Sequence, residues 1–306
     1  MAKRILLLLL IVLPAFAFAQ RNKRYKWEAC LGIGAANFLG DLGGANQIGT
    51  NGIKDLEIVL TKPAISLNAR YRKGRYWGYK GGFYWGQVSG FDYLTTERYR
   101  NNRNLHFRSN IFEFSLMTEF YFTKERPGHI YKYKKLKGWR HIDAQIYLMG
   151  GVGGFWYNPK ASYYGTWIAL QPIGTEGQGY KPGTKKYSRV SVCIPVGVGM
   201  KSALNRRFSI GLEIGLRKTF TDYIDDVSTV YYDPAEIAAN NPSLAAAAVF
   251  FANPSINSIT AANNEGINPT GVGQQRGDST DNDAYLFVHV TVSYKIGKFR
   301  KTKSKF

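Results

Sequence analysis

Cysteine is nearly absent from this chain, with two in 306 residues, and histidine is scarce, with four. So little thiol excludes a disulfide-stapled secreted scaffold. Long apolar runs are missing too once the first segment is passed, so no spanning helix of roughly 18 or more residues is expected. Acidic residues are in short supply, 21 against 41 Lys and Arg, for a formal net charge of +20. What the chain has in quantity is tyrosine (21), phenylalanine (18) and glycine (33), a mix that favours strands over helices.

The exception to the missing apolar runs sets the compartment. Lys3 and Arg4 precede an apolar run from Ile5 to Leu13, and Ala17-Phe18-Ala19 precedes Gln20 as a small-x-small cleavage site. Residues 1–19 therefore read as a secretory signal, with a mature domain over 20–306. No Cys sits just after the cleavage point, so no lipid anchor is expected there.

Period-two alternation then recurs in eight stretches, the mark of strands with one apolar and one polar face. In the last, Leu286, Val288, Val290, Val292, Tyr294 and Ile296 share one face, and Tyr285, His289, Thr291, Ser293 and Lys295 the other, with Phe287 the one apolar intruder among them. The others run over 27–38, 64–72, 76–88, 110–122, 141–156, 190–201 and 208–220. Short connections (73–75, 204–206, and a basic one over 124–140) alternate with long ones (39–63, 89–109, 158–189 and 221–283). An even number of antiparallel strands with alternating loop lengths predicts an all-β fold, an eight-stranded antiparallel transmembrane β-barrel with long extracellular loops and periplasmic termini. A soluble β-sandwich would share the alternation, yet Trp27, Trp77, Trp85, Trp156 and Tyr294 sit near strand ends on the apolar face, where interfacial girdles belong.

The polar face collects Glu28, Glu113, Glu119, Asp143 and Glu213 against Arg70, Arg72, Lys80, Lys201, Arg217 and Lys295. Eight strands enclose a space that side chains fill, and charges inside it must pair, so the expectation is a plugged lumen and no channel. Cys30 and Cys193 both point inward on strands that are not neighbours, so they read as two buried thiols and not a disulfide. The glycines of 150–154 and the Gly32-x-Gly34 pair resemble nucleotide-loop fragments, but no helix follows either, and glycines that make room fit better. His289 with Thr291 and Ser293 suggests a hydrolytic pair, but no orienting third group is visible, and no catalytic residue, cofactor or metal is expected. Arg276-Gly277-Asp278 matches an adhesion tripeptide by chance as easily as by design. Asp278, Asp281 and Asp283 lack the full run of calcium ligands and read as solvated turn residues. Asp233-Pro234-Ala235 and Ser243-Leu244-Ala245 predict short helices in the outer loop 222–283.

Charge divides along the barrel axis. Lys124, Arg126, Lys132, Lys134, Lys135, Lys137 and Arg140 crowd the basic connection and join the basic segments at both termini, while Asp222, Asp225, Asp226, Asp233 and Glu236 make the last outer loop acidic. A basic periplasmic face suits either lipid phosphates or an acidic protein partner.

Asn37-Phe38-Leu39-Gly40-Asp41-Leu42-Gly43-Gly44, together with Arg276-Gly277-Asp278 and Asp281-Asn282-Asp283-Ala284-Tyr285, resembles the PorG-like outer-membrane barrels of the Bacteroidetes type IX secretion system. The resemblance implies a non-enzymatic barrel that anchors the periplasmic ring of the secretion machinery. Its implied partners are a PorK-type lipoprotein, a PorN-type subunit and outer-membrane lipids, with no nucleic acid. Lipid-modifying barrel enzyme and surface adhesin stand as the alternatives. The Ala-rich last loop is longer than the family pattern.

Overall fold

A computed structural model describes residues 26–42, 60–123, 144–205 and 207–297. Eight long strands form a closed antiparallel ring: β1 (Trp27–Leu39), β2 (Lys62–Arg72), β3 (Trp77–Phe91), β4 (His106–Tyr121), β5 (Ala144–Tyr163), β7 (Val190–Ala203), β8 (Phe208–Thr219) and β9 (Ala284–Ile296). A short β6 (Thr166–Ala169) folds back on the far end of β5 and takes no part in the ring. Closure comes from pairing β4 with β5 and β1 with β9, in the latter from Trp27 opposite Ile296 to Leu39 opposite Ala284. No edge is left open among the eight, so the backbone groups of every strand pair within the wall. The ladder between β5 and β7 lapses between Gly150–Val196 and Gly153–Cys193, beside Pro195, which has no N–H to donate.

The predicted faces are confirmed on every strand. Leu31, Leu67, Leu116, Val152, Val196 and Ile214 lie outward and exposed, while Glu28, Arg70, Lys80, Glu113, Glu119, Lys201, Glu213, Arg217, Lys295 and His289 are buried inside the ring. Along β5 the outward face is apolar from Ile146 to Trp156. Ten residue steps make roughly 34 Å along the strand, or about 26 Å along the axis at a tilt of about 40°, which is the height of a membrane barrel's apolar band. Aromatic side chains rim that band at both ends. Trp27 contacts Tyr71 with ring centroids 4.9 Å apart, and Trp77 contacts Phe120 at 5.0 Å, on the terminus-bearing side; Phe112 and Trp156 meet at 5.6 Å on the other.

Two connections differ from expectation. β3 and β4 continue beyond Val88 and before Asn110, and β5 runs to Tyr163 before β6 turns back, so the ends of the expected 89–109 loop and the first part of the expected 158–189 loop are strand. The reason is chemical. Past the apolar band the outward positions carry Asn110, Arg108, Asn158 and Lys160, so grease no longer alternates with polarity and the period-two signal fades while the backbone ladder goes on.

The last long connection folds into a cap. Asp233 accepts from the Ala235 amide and Pro234 occupies the first turn of α2 (Pro234–Asn240), as the sequence predicts. The second helix, α3 (Ala245–Ala252), starts after a 3-10 turn over Pro242–Leu244, and Ser243 does not cap it. Ile237, Ala247, Ala248, Phe251 and Ala252 pack with Ala161 of β5 and with Leu170 and Ile173, a second apolar core outside the barrel.

Candidate functional site: the interior network and the outer cap

Alternation places acids and bases from opposite walls in one lumen, and there they pair. Arg70 of β2 is the hub: its Nε lies 2.7 Å from Glu119 of β4, Nη1 3.0 Å from Glu28 of β1, and Nη2 2.9 Å from Glu213 of β8. Lys80 bonds the other Glu213 oxygen, and Lys201 lies 2.8 Å from Glu28. The Tyr147 hydroxyl donates to Glu213 at 2.6 Å and Tyr121 donates to Glu119. Three carboxylates therefore face three cations, each within hydrogen-bond reach of the next, and Lys295 is buried opposite Glu28 as a further cation of that layer.

Nearer the cap the filling turns aromatic. Arg217 pairs with Glu113 at 3.1 Å, lies over Tyr84 and Phe287, and shares Glu113 with the Tyr285 hydroxyl at 3.0 Å. Above it Phe38, Val88, Phe107, Ile111, Phe155 and Tyr157 are buried in one cluster. Phe287, the apolar member of the otherwise polar face of β9, belongs to this plug and stacks on Tyr84. A Cβ at Gly34 would stand 1.8 Å from the Val288 carbonyl oxygen, and one at Gly151 2.0 Å from that of Leu116, so inward glycines let opposing backbones approach, as read from the sequence. Cys30 and Cys193 are free and buried. His289 sits between Tyr84 and Phe287, and its Nε2 has no hydrogen-bond partner among the described residues. A hydrolytic pair needs a hydroxyl bonded to that ring, which Thr291 and Ser293 do not supply.

The two halves of the sequence motif meet at the cap's root. The Asp278 amide donates to Asp41 at 2.6 Å, and the Leu42 amide to Asp225 at 3.1 Å. Both motif glycines have steric reasons: a Cβ on Gly277 would lie 2.4 Å from the Asp41 carboxylate and 2.6 Å from the Ser228 nitrogen, and one on Gly40 2.2 Å from Asp283. Gly43 and Gly44 fall outside the described residues. Arg276 is buried, not displayed: it bonds Glu176 at 2.9 Å and the Asp226 carbonyl at 2.6 Å. The tripeptide therefore serves as an internal clamp. Arg103, from α1 (Arg98–Arg103), extends the clamp by binding Asp92 and by donating to the carbonyls of Arg276 and Asp41. Glu176, Asp92 and Arg103 carried no signal in the sequence, since single charged residues in loops have no period to betray them.

The acids of the last loop also depart from expectation. Asp222, Asp225 and Asp226 are buried, as is Asp283, so they do not make an acidic surface or solvated turns. Only Asp278 and Asp281 of the expected turn acids stay near solvent, Asp281 pairing with Lys218 at 2.8 Å. Burial pushes the Asp222 carboxyl up to about 8, with Asp41 and Glu176 adding repulsion. Asp225 and Asp283 are raised well above the carboxylate range, first by burial and then by the carboxylates of Asp41 and Asp222, with Asp283 adding to the shift of Asp225. Burial takes Asp226 up to about 6, held back by Arg276. No group of three or more potential ligands stands at metal-binding spacing among the described residues.

The basic connection, Lys124, Arg126, Lys132, Lys134, Lys135, Lys137 and Arg140, lies outside the described residues, as do Asp143 and both basic termini.

Among solved structures the chain resembles the attachment invasion locus protein Ail of Yersinia pestis (10% identity, TM-score 0.35, covering 89% of this chain and 97% of that one). It also resembles Neisserial surface protein A (7%, 0.38, 88% and 97%) and the outer-membrane protein OprG of Pseudomonas aeruginosa (10%, 0.34, 90% and 98%). TM-scores this low carry no argument, and the barrel rests on the strand pairing itself. Nothing among curated proteins matches the chain. A family model does match over residues 3–234, stopping short of α3 and β9, and the chain thereby belongs to DUF6089, a domain of unknown function.

Proposed function

We propose that this chain is an integral outer-membrane barrel that neither conducts nor catalyses, and that it anchors the periplasmic ring of a type IX secretion machinery. The observation that carries the first half is the pairing of an apolar outer band with a lumen sealed by ion pairs and aromatics. A water-exposed band of that extent has no reason to exist on a soluble protein, and a sealed lumen leaves a small barrel the role of a fixed post in the membrane. The loop-bearing, capped end faces outside and the termini face the periplasm on this reading, as short-turn barrels are built. No described helix is long and apolar enough to cross a membrane.

The second half rests on the sequence resemblance and on the basic connection between β4 and β5, an electrostatic face for a PorK-type lipoprotein and a PorN-type subunit. Reversing Lys134, Lys135 and Lys137 to Glu is expected to abolish co-purification with that ring while the barrel still inserts. Unchanged co-purification would sink the anchoring role. The adhesin reading loses its tripeptide to the internal clamp of Arg276, and the enzyme reading loses substrate access to His289.

A further inference from the structure

Outward-facing residues of β4, β5 and β7 change in an ordered way toward the capped end. Phe112 stands opposite Trp156, then Asn110 opposite Asn158, then Arg108 opposite Lys160. Arg189, just before β7, reaches into the same patch: its Nη1 donates to Asn158 at 3.4 Å and its guanidinium lies 6.0 Å from the Trp156 ring. Gln87 of β3 completes the amide row by donating to Asn110 at 3.2 Å. Apolar, aromatic, amide and cationic layers thus follow one another along the outer wall, the order in which a barrel leaves hydrocarbon for headgroups. At about 3.4 Å per residue and a tilt of about 40°, the Arg108–Lys160 pair lies roughly 10 Å above the tryptophan row, within reach of the headgroup layer for side chains of that length.

The cationic pair has a feature that plain solvation does not explain. Two like charges directly opposite each other on neighbouring strands repel. Yet Arg108, Lys160 and Arg189 form no ion pair among the described residues, in a protein whose lumen and cap pair their charges closely. Arg108 is moreover held in place, its guanidinium stacked 3.7 Å from the Trp167 ring of β6, which leaves the in-plane N–H groups free for an acceptor. An anion between the two strands would remove the repulsion, and a planar fork beside an ammonium suits a phosphate.

We propose that Arg108, Lys160 and Arg189 form a binding site for the phosphate of a lipid headgroup at the capped rim of the barrel. The inference rests on the membrane reading above, and it explains why β4 and β5 continue past the apolar band: the extension carries the cations to phosphate depth. With the capped end outside, the lipid it meets is the phosphorylated glycolipid of the outer leaflet.

The test uses the full mature chain, delipidated in an uncharged detergent and followed by native mass spectrometry. It is titrated with lipid A carrying its phosphates, with the same lipid dephosphorylated, and with inorganic phosphate. Wild type is expected to retain one phosphorylated lipid per barrel and to show little hold on the other two. Arg108→Gln with Lys160→Gln is expected to weaken retention roughly 30-fold, each charge at an anionic lipid surface being worth roughly fivefold. Lys181→Gln with Lys185→Gln, exposed cations elsewhere on the cap, is expected to leave it unchanged. Equal retention by the Arg108/Lys160 variant, equal binding of the dephosphorylated lipid, or displacement by matched inorganic phosphate would each overturn the lipid site. A wild type that stays folded and monomeric without detergent would overturn the membrane reading, and this inference with it.

Discussion

Arg70 shows how a single side chain can decide whether a lumen holds together. Three carboxylates from three strands share its guanidinium, and Lys80 and Lys201 help to offset them. Removing one partner of a buried pair leaves an uncompensated charge, which costs about 3–5 kcal/mol, whereas a matched apolar replacement of all partners can be neutral. Arg70→Leu is therefore expected to destabilise the folded barrel by about 3–5 kcal/mol, read as a lower urea midpoint for the heat-modifiable band on a gel. Adding Glu119→Leu should recover part of the loss, since one orphaned carboxylate goes with it. A single variant no less stable than wild type would show that the network contributes nothing.

Elements outside the membrane obey different chemistry. The cap is knitted from four connections by the Arg276–Glu176 pair and by Arg103, which binds Asp92 and donates to the carbonyls of Arg276 and Asp41, and it carries Asp222, Asp225 and Asp283 close together. These carboxyls have folded-state pKa values above their unfolded ones, so the folded cap holds their protons more tightly. Ionising them costs nothing below about pH 4, where both states are protonated. The cost grows as pH rises toward 8, the value to which Asp222 is pushed. Limited proteolysis of the cap is expected to be faster at pH 9 than at pH 6, on the order of tenfold, with the barrel strands protected at both. Asp222→Asn should flatten that dependence; an unaltered pH profile would remove Asp222 from the explanation. The cap also marks where sequence reading runs short. Strand faces were plain because lipid and lumen impose a period of two on residues such as Leu286 to Ile296, and α2 was plain because Asp233 and Pro234 form a local start signal. Burial of Asp222 and Asp283 follows from loops that meet only in three dimensions, for which neighbouring residues give no hint.

For the molecule as a whole, the outer band makes the sharpest claim. Leu116 lies outward near the middle of β4, and a cation there would sit in hydrocarbon. Leu116→Arg is expected to cost about 2–4 kcal/mol of folding stability in bilayers, falling to about 0–1 for the same change at the rim position Asn110. Refolding into liposomes with a urea titration measures both, and equal costs at the two depths would remove the bilayer from the account. In planar bilayers the purified barrel is expected to show no steady conductance, because the Arg70 layer and the Tyr84–Phe287 plug cross the bore at different heights.

The pairing of Trp27 with Ile296 carries a consequence for biogenesis. The seam joins the first strand to the last, so the wall cannot seal until the carboxyl end of the polypeptide has been delivered. Every earlier stage exposes two raw margins whose amides and carbonyls have no partner in lipid. Assembly must then wait for the whole chain, and a ribosome that stops before Ala284 would release a product with nothing to zip its opening strand, a substrate for degradation.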